Sequence, residues 1–239
     1  MKRIGIGYSI LLFLIPGILF WIHLNWTMSF FTNLLQWSNY AAWIIIGTLF
    51  LFMPLFLFTL LLMKKDGYKL ELESVLCRLR IKKMTRSDWF WTGSSLLSAI
   101  AIAGLIVLIL VLSSLDIDAS ALEEISPIKT NKLVGAEQYI MLLLPLFFFF
   151  NYVGEEMLWR GYVLPRQEIT FGKYAWIFNG FLHALFHLPF GLLTHVVSIP
   201  IYLVMPFVVY KTRNTTTAII IHALLGAPIQ ILVALGVVS

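Results

Sequence analysis

Cysteine is almost missing from this chain, and charge is scarce. One cysteine, Cys77, in 239 residues leaves no disulfide framework and no thiolate metal cluster. Charged residues make up only 12% of the sequence against 60% hydrophobic ones, too few to give a soluble domain its polar shell. The chain therefore reads as an integral, multi-pass membrane protein. Also lacking are a His-Glu-x-x-His helix, a Gly-x-Ser-x-Gly elbow, a P-loop and a dinucleotide fingerprint, so the chemistries that those motifs carry find no support. The net charge of +5 lies beside apolar spans with no nucleic-acid motif interleaved, and is read as a loop bias rather than a nucleic-acid surface. There is no internal repeat, no Pro/Gly/Ser linker and no low-complexity tract, which leaves a single all-helical transmembrane bundle.

What is present is a series of apolar runs separated by loops of unequal charge. Lys2 and Arg3 precede a first run from Ile4 to about Leu24, which lacks a small-residue cleavage site and reads as a retained helix. Uncharged polar residues, Asn25 to Asn39, lead into a second span, Tyr40 to Met63, with Pro54 tolerable as a kink. The next loop carries Lys64, Lys65, Lys69, Arg78, Arg80, Lys82, Lys83 and Arg86 against Asp66, Glu71, Glu73 and Asp88. Leu72, Val75, Leu76 and Leu79 recur in it at helical spacing, which fits an interfacial helix on an anionic leaflet as well as it fits an ordinary solvated loop. A third span, Phe90 to Leu115, leads to an acidic loop, Asp116 to Glu137. Spans four to seven start near Gln138, Tyr174, His195 and Thr217, and Arg160, Arg166, Lys173, Lys211 and Arg213 mark the ends opposite the acidic loop. The positive-inside rule then predicts about seven spans, a cytoplasmic N-terminus and loop 64–88, and an external loop 116–137, in the plasma membrane. The chain divides into N-terminal helices with the basic loop, 1–137, and a C-terminal core, 138–239.

Against that background one stretch stands out. Ile140 to Phe150 is almost wholly apolar and runs into Val153-Gly-Glu155-Glu156-Met-Leu-Trp159-Arg160-Gly161. Ionisable groups at membrane depth are costly unless paired or hydrated, which makes them functional candidates, although the two glutamates could also mark the water interface. Positions four apart share a helix face, so Glu156 can pair with Arg160, while Glu155 points about 100° away. Burial in a bundle is one way that a carboxylate is tuned for general-base work, and Glu155 is the carboxylate left for it. His183 and His187 lie four apart on one face before Pro189, a spacing that suits a joint metal site or a shared proton network. His222 sits within an apolar helix. His23 and His195 fall at the predicted outer ends of spans, where an interfacial position is expected.

Glu-Glu-x-x-x-Arg followed by Gly-Tyr-x-Leu-Pro-Arg, then a histidine before Leu-Pro, then a histidine in a late apolar helix, resembles the CAAX-protease and bacteriocin-processing (CPBP, or Abi) family of intramembrane endopeptidases. The resemblance covers Gln138 to Gln230. It implies that Glu155 and His187 activate the hydrolytic water, that His222 helps to stabilise the oxyanion, and that Glu156 and Arg160 hold the site together. It also implies a membrane-embedded or lipidated protein substrate and no nucleic acid. Two positions depart from the pattern. His183 stands where the family has Phe, and Gly226 stands where its third motif, His-x-x-x-Asn, has Asn. By helical spacing Asn151 or Gln230 is placed to substitute for that Asn.

Peptide hydrolysis needs a base for the water, a partner to position it and donors for the tetrahedral oxyanion, and a carboxylate with two imidazoles can supply them. Glu155, His187 and His222 could equally ligate zinc with one position open. The resemblance favours a metal-free mechanism with no cofactor. Two other classes stay open. A membrane scaffold, immunity or partner-binding protein of the same fold would use the buried polar residues to join helices, and Gly226 points that way. A transporter relaying protons would show broken helices in paired halves, and no such symmetry is seen.

Overall fold

The computed structural model describes residues 2–113 and 133–237. The acidic loop 116–137 thus lies largely outside the described residues. Backbone polar groups in lipid must be satisfied internally, and the chain meets that demand with helices: it is 86% helical, with no strand among the described residues. Helix α1 is Ile6–Leu35, α2 is Asn39–Lys65, the short α3 is Leu72–Arg78 and α4 is Arg86–Ser113. A continuous helical run, Gly135–Phe186, divides at Gly172 into α5 (135–171) and α6 (Ala175–Phe186), and α7 (Leu192–Thr212) and α8 (Thr216–Ala234) complete the fold.

Among the described residues six helices are long and apolar enough to cross a membrane, and the fourth of them is the 52-residue run Gly135–Phe186. That is more than twice the ~20 residues a bilayer needs. Gly172 has φ +55°, in the left-handed region that favours glycine, and ends α5. Beyond it α6 turns back: Asn179 donates to the Trp159 carbonyl at 3.2 Å and to Gln167 Oε1 at 2.8 Å. Residues 20 apart in a straight helix would be ~30 Å apart. The run is therefore a helical hairpin, folded where the sequence reading divides its fourth span from its fifth.

α1 extends past the expected end at Leu24 to Leu35, through a π-helical turn at His23–Thr27. His23 thus lies within the helix rather than at its end, buried beside Trp43. Another π turn, Thr48–Phe52, comes just before Pro54, where proline's missing N–H breaks the regular ladder.

The core joins the N-terminal helices directly to α5 and α6. Phe13 stacks on Trp159 with ring centroids 4.2 Å apart, Phe20 lies 5.3 Å from Phe186, and Trp43 and Phe52 both meet Phe147 edge-on. Small residues set the crossings, as expected where packing rather than water drives association. A Cβ on Gly180 would come within 2.8 Å of the Tyr202 carbonyl oxygen, so α6 and α7 touch backbone to backbone. α4 packs on α7, where Trp91 meets Phe207 edge-on, while Leu97, Leu105 and Ile109 are exposed, as on a lipid-facing helix.

The basic loop is neither free in solvent nor simply laid on a leaflet. Leu79 is fully buried against Gly161 of α5, and its carbonyl accepts from Thr215 Oγ1 at 2.6 Å. Arg80 makes a two-pronged pair with Glu168 at 3.2 and 3.0 Å. Asn214 Nδ2 donates to Asp88 at 3.1 Å. The loop closes one end of the bundle and fixes the starts of α4 and α8.

Candidate active site

The site is built on the most irregular stretch of α5. The backbone is π-helical over Phe149–Gly154 and again over Met157–Val163, which leaves only Glu155 and Glu156 in α-geometry between them. Such widened turns are frequent at functional positions. They turn the two adjacent carboxylates toward different neighbours.

Glu156 faces Arg160 and α8. Arg160 Nη1 donates to Glu156 Oε1 at 3.2 Å, the pairing that the four-residue spacing predicts, and both side chains are fully buried. The same oxygen accepts from His222 Nδ1 at 3.1 Å. Glu155 faces α6. Its Oε2 lies 3.6 Å from His183 Nε2, and Glu155, His183 and His187 each offer a ligating atom within 4.8 Å of the others, all three buried. The structure thus groups Glu155 with both α6 histidines, while His222 sits behind them on Glu156.

Hydrogen-bond partners assign the imidazole tautomers. A guanidinium only donates, so the contact of Arg160 Nη2 with His183 Nδ1 at 3.1 Å makes Nδ1 an acceptor. The neutral ring of His183 then carries its hydrogen on Nε2, directed at Glu155. His187 is the reverse: Nδ1 lies 3.1 Å from the His183 carbonyl oxygen and must donate to it, leaving an Nε2 lone pair free to accept a proton. Tyr202 of α7 stacks on His187 at 5.0 Å and meets His183 edge-on at 5.4 Å, holding both rings.

These tautomers bear on metal binding. Two histidines and a glutamate have the composition of a catalytic zinc site. A zinc on His183 would need the nitrogen that carries hydrogen, because Arg160 occupies the other. As the rings stand, the His183 nitrogen nearest Glu155 carries hydrogen, so a metal held by Glu155, His183 and His187 would require the contact of Arg160 with Nδ1 to be given up. His222, the third ligand of the zinc alternative, is turned to Glu156 by its Nδ1.

Gly226 marks a residue that sequence reasoning missed. A Cβ there would meet the Tyr152 hydroxyl at 2.6 Å, so the glycine makes room for a tyrosine reaching across from α5. Tyr152 is buried, its ring is 4.9 Å from that of His222, and its hydroxyl has no hydrogen-bond partner among the described residues. Asn151 is buried one position earlier and makes none of these contacts; the Gln230 backbone carbonyl accepts from the Tyr40 hydroxyl. The only sequence signal for Tyr152 is its spacing, three residues before Glu155 and on a neighbouring helix face.

Residues 137–227 match the family model described as Rce1-like, type II CAAX prenyl endopeptidase. This bears out the resemblance to the CPBP family, over nearly the same residues. The matched stretch contains Tyr152, Glu155, Glu156, Arg160, His183, His187, Tyr202 and His222. Comparisons with curated proteins and with solved structures find no match.

Proposed function

We propose, from the premise that residues 137–227 are of the CPBP family, that this chain is an intramembrane endopeptidase that hydrolyses a peptide bond of a prenylated protein at its C-terminal Cys-a-a-X sequence. The observation that carries this reading is the buried Glu155 flanked by His183 and His187. His183 Nε2 faces the Glu155 carboxylate from 3.6 Å. A water between Glu155 and His187 gives one hydrogen bond to each. As the water oxygen attacks the scissile carbonyl carbon, its proton passes to Glu155, which returns it to the leaving amine when the C–N bond breaks. Arg160 holds the His183 tautomer and neutralises Glu156.

Two groups serve the oxyanion. His222, bound through Nδ1 to Glu156, offers an Nε2–H only as imidazolium. The Tyr152 hydroxyl is a donor in either state of that ring, and it occupies the space that Gly226 leaves open. This reading keeps the catalyst complete without a side chain at 226, which is what separates it from a scaffold of the same fold. The mechanism is metal-free. The N-terminus is placed in the cytoplasm and the protein in the plasma membrane, on the basic content of loop 64–88; a cysteine at Ser87 labelled from outside intact cells would reverse that orientation.

The test is reconstitution in liposomes with a farnesylated Cys-a-a-X peptide. Release of the C-terminal tripeptide is expected, and strong chelation should leave it unchanged. In the same assay Tyr152→Phe should lower kcat by about 10²-fold with little change in KM, the cost of one oxyanion donor. Activity lost on stripping a stoichiometric zinc and restored by adding it back would overturn the metal-free mechanism. A failure to cleave prenylated peptides of any sequence would favour the scaffold.

A further inference from the structure

At the end of the bundle closed by the basic loop, four arginines meet two carboxylates. Glu168 is shared by Arg80 and Arg213. Asp66 accepts from Arg166 and from the Tyr162 hydroxyl. Glu71 pairs with Lys69 at 3.6 Å on the exposed surface. Arg78 remains. Its side chain is only 7% exposed, yet none of its three guanidinium nitrogens has a hydrogen-bond partner among the described residues. The guanidinium lies over the rings of Tyr68 and Tyr162, at 5.2 and 5.6 Å from their centroids. Those contacts are attractive, and Asp66, already held by Arg166 and Tyr162, acts on Arg78 only through space, without a hydrogen bond to it. A buried cation without acceptors is costly unless something supplies them.

Arg78 lines a cavity of about 320 Å³ together with Tyr68, Ser74, Cys77 and Arg80. A guanidinium backed by a second arginine and a hydroxyl suits a tetrahedral oxyanion such as phosphate. The place of the cavity narrows the source. It lies in the segment between the spans that end at Lys65 and begin at Arg86, the level at which headgroups meet the protein. Between the lining residues Tyr68 and Ser74 in the chain, Leu70 and Leu72 are 46% and 75% exposed, apolar side chains with no protein to cover them. A phospholipid satisfies both features, its phosphate on Arg78 and its acyl region against the leucines.

We propose that the cavity around Arg78 is a binding site for the phosphate of an anionic phospholipid, which supplies the acceptors that Arg78 lacks and anchors the basic loop beneath the bundle. The site does not depend on the proteolytic reading, and its test needs no substrate. Cys77 lines the cavity, is exposed and is the chain's single cysteine, so its alkylation by N-ethylmaleimide reports occupancy.

In detergent, short-chain phosphatidylglycerol is expected to slow that alkylation and raise the melting temperature. Arg78→Gln should weaken both effects by about 10- to 100-fold in lipid concentration, the loss of charge-assisted hydrogen bonds to the phosphate. Arg78→Lys, which keeps the charge, should retain part of the protection. The lipid-free Arg78→Gln protein should be no less stable than the original, because it no longer buries an unpartnered charge. Protection equal in Arg78→Gln and the original, or absent from both, would overturn the proposal. So would a fall in lipid-free stability with protection retained, which would make Arg78 a structural strut. Equal protection by inorganic phosphate at the same concentration would assign the cavity to a free anion instead of a lipid.

Discussion

Glu155→Gln should abolish peptide hydrolysis while leaving the protein folded. The exchange is close to isosteric, and the Glu155 carboxylate makes no buried pair with Arg160; its neighbour is the Nε2–H of His183, 3.6 Å from Oε2, which an amide oxygen can face as well. What the amide cannot do is accept a proton from water. General-base catalysis contributes typically 10²–10⁴-fold, and with the other glutamate committed to Arg160 and His222 the loss should be toward the upper end, about 10³–10⁴-fold in kcat. Melting temperature in detergent should stay within a few degrees of the original. Full cleavage of the farnesylated peptide by Glu155→Gln would remove this residue from the role of base.

Glu156→Gln should do the opposite and damage the fold itself. One oxygen of Glu156 holds both Arg160, at 3.2 Å, and His222, at 3.1 Å, with the carboxylate and the guanidinium wholly buried. Neutralising it strands a guanidinium in a low-dielectric interior, where breaking such a pair costs about 3–5 kcal/mol. The damage should spread, since Arg160 also holds the His183 tautomer and His222 joins α8 to α5. A large drop in thermal stability, with any remaining activity falling in proportion to the folded fraction, is the expected outcome. Thermal unfolding of the two variants side by side decides the matter: equal losses in both would mean that the adjacent carboxylates do not divide into a base and a strut.

Adjacent glutamates with such different fates show why part of the site can be read from sequence. The Glu156–Arg160 pair and the shared face of His183 and His187 are local, four residues apart, and helical geometry alone brings them together. The helical membrane class is equally legible, because a chain of this composition has no other way to satisfy its backbone in lipid. The end of α1 was not, because the helix runs on past His23 through polar residues that carry no stop signal.

Contacts between helices belong to the tertiary structure. Glu155 meets His183 and His187 because α5 folds back at Gly172 and α6 crosses it, and the π-wound turns on either side of the glutamates decide which carboxylate faces which helix. His222 joins Glu156 rather than the α6 pair for the same reason. No periodicity links Tyr152 to Gly226, 74 positions apart; their match is a matter of volume, one hydroxyl filling the space that a missing Cβ leaves. The solitary state of Arg78 is likewise invisible in a loop rich in both signs until Asp66 and Glu168 are found already occupied. Sequence determined which residues carry charge at depth and which of them share a helix face. Only the crossing of helices, set by close packing and volume, decided which of those groups meet.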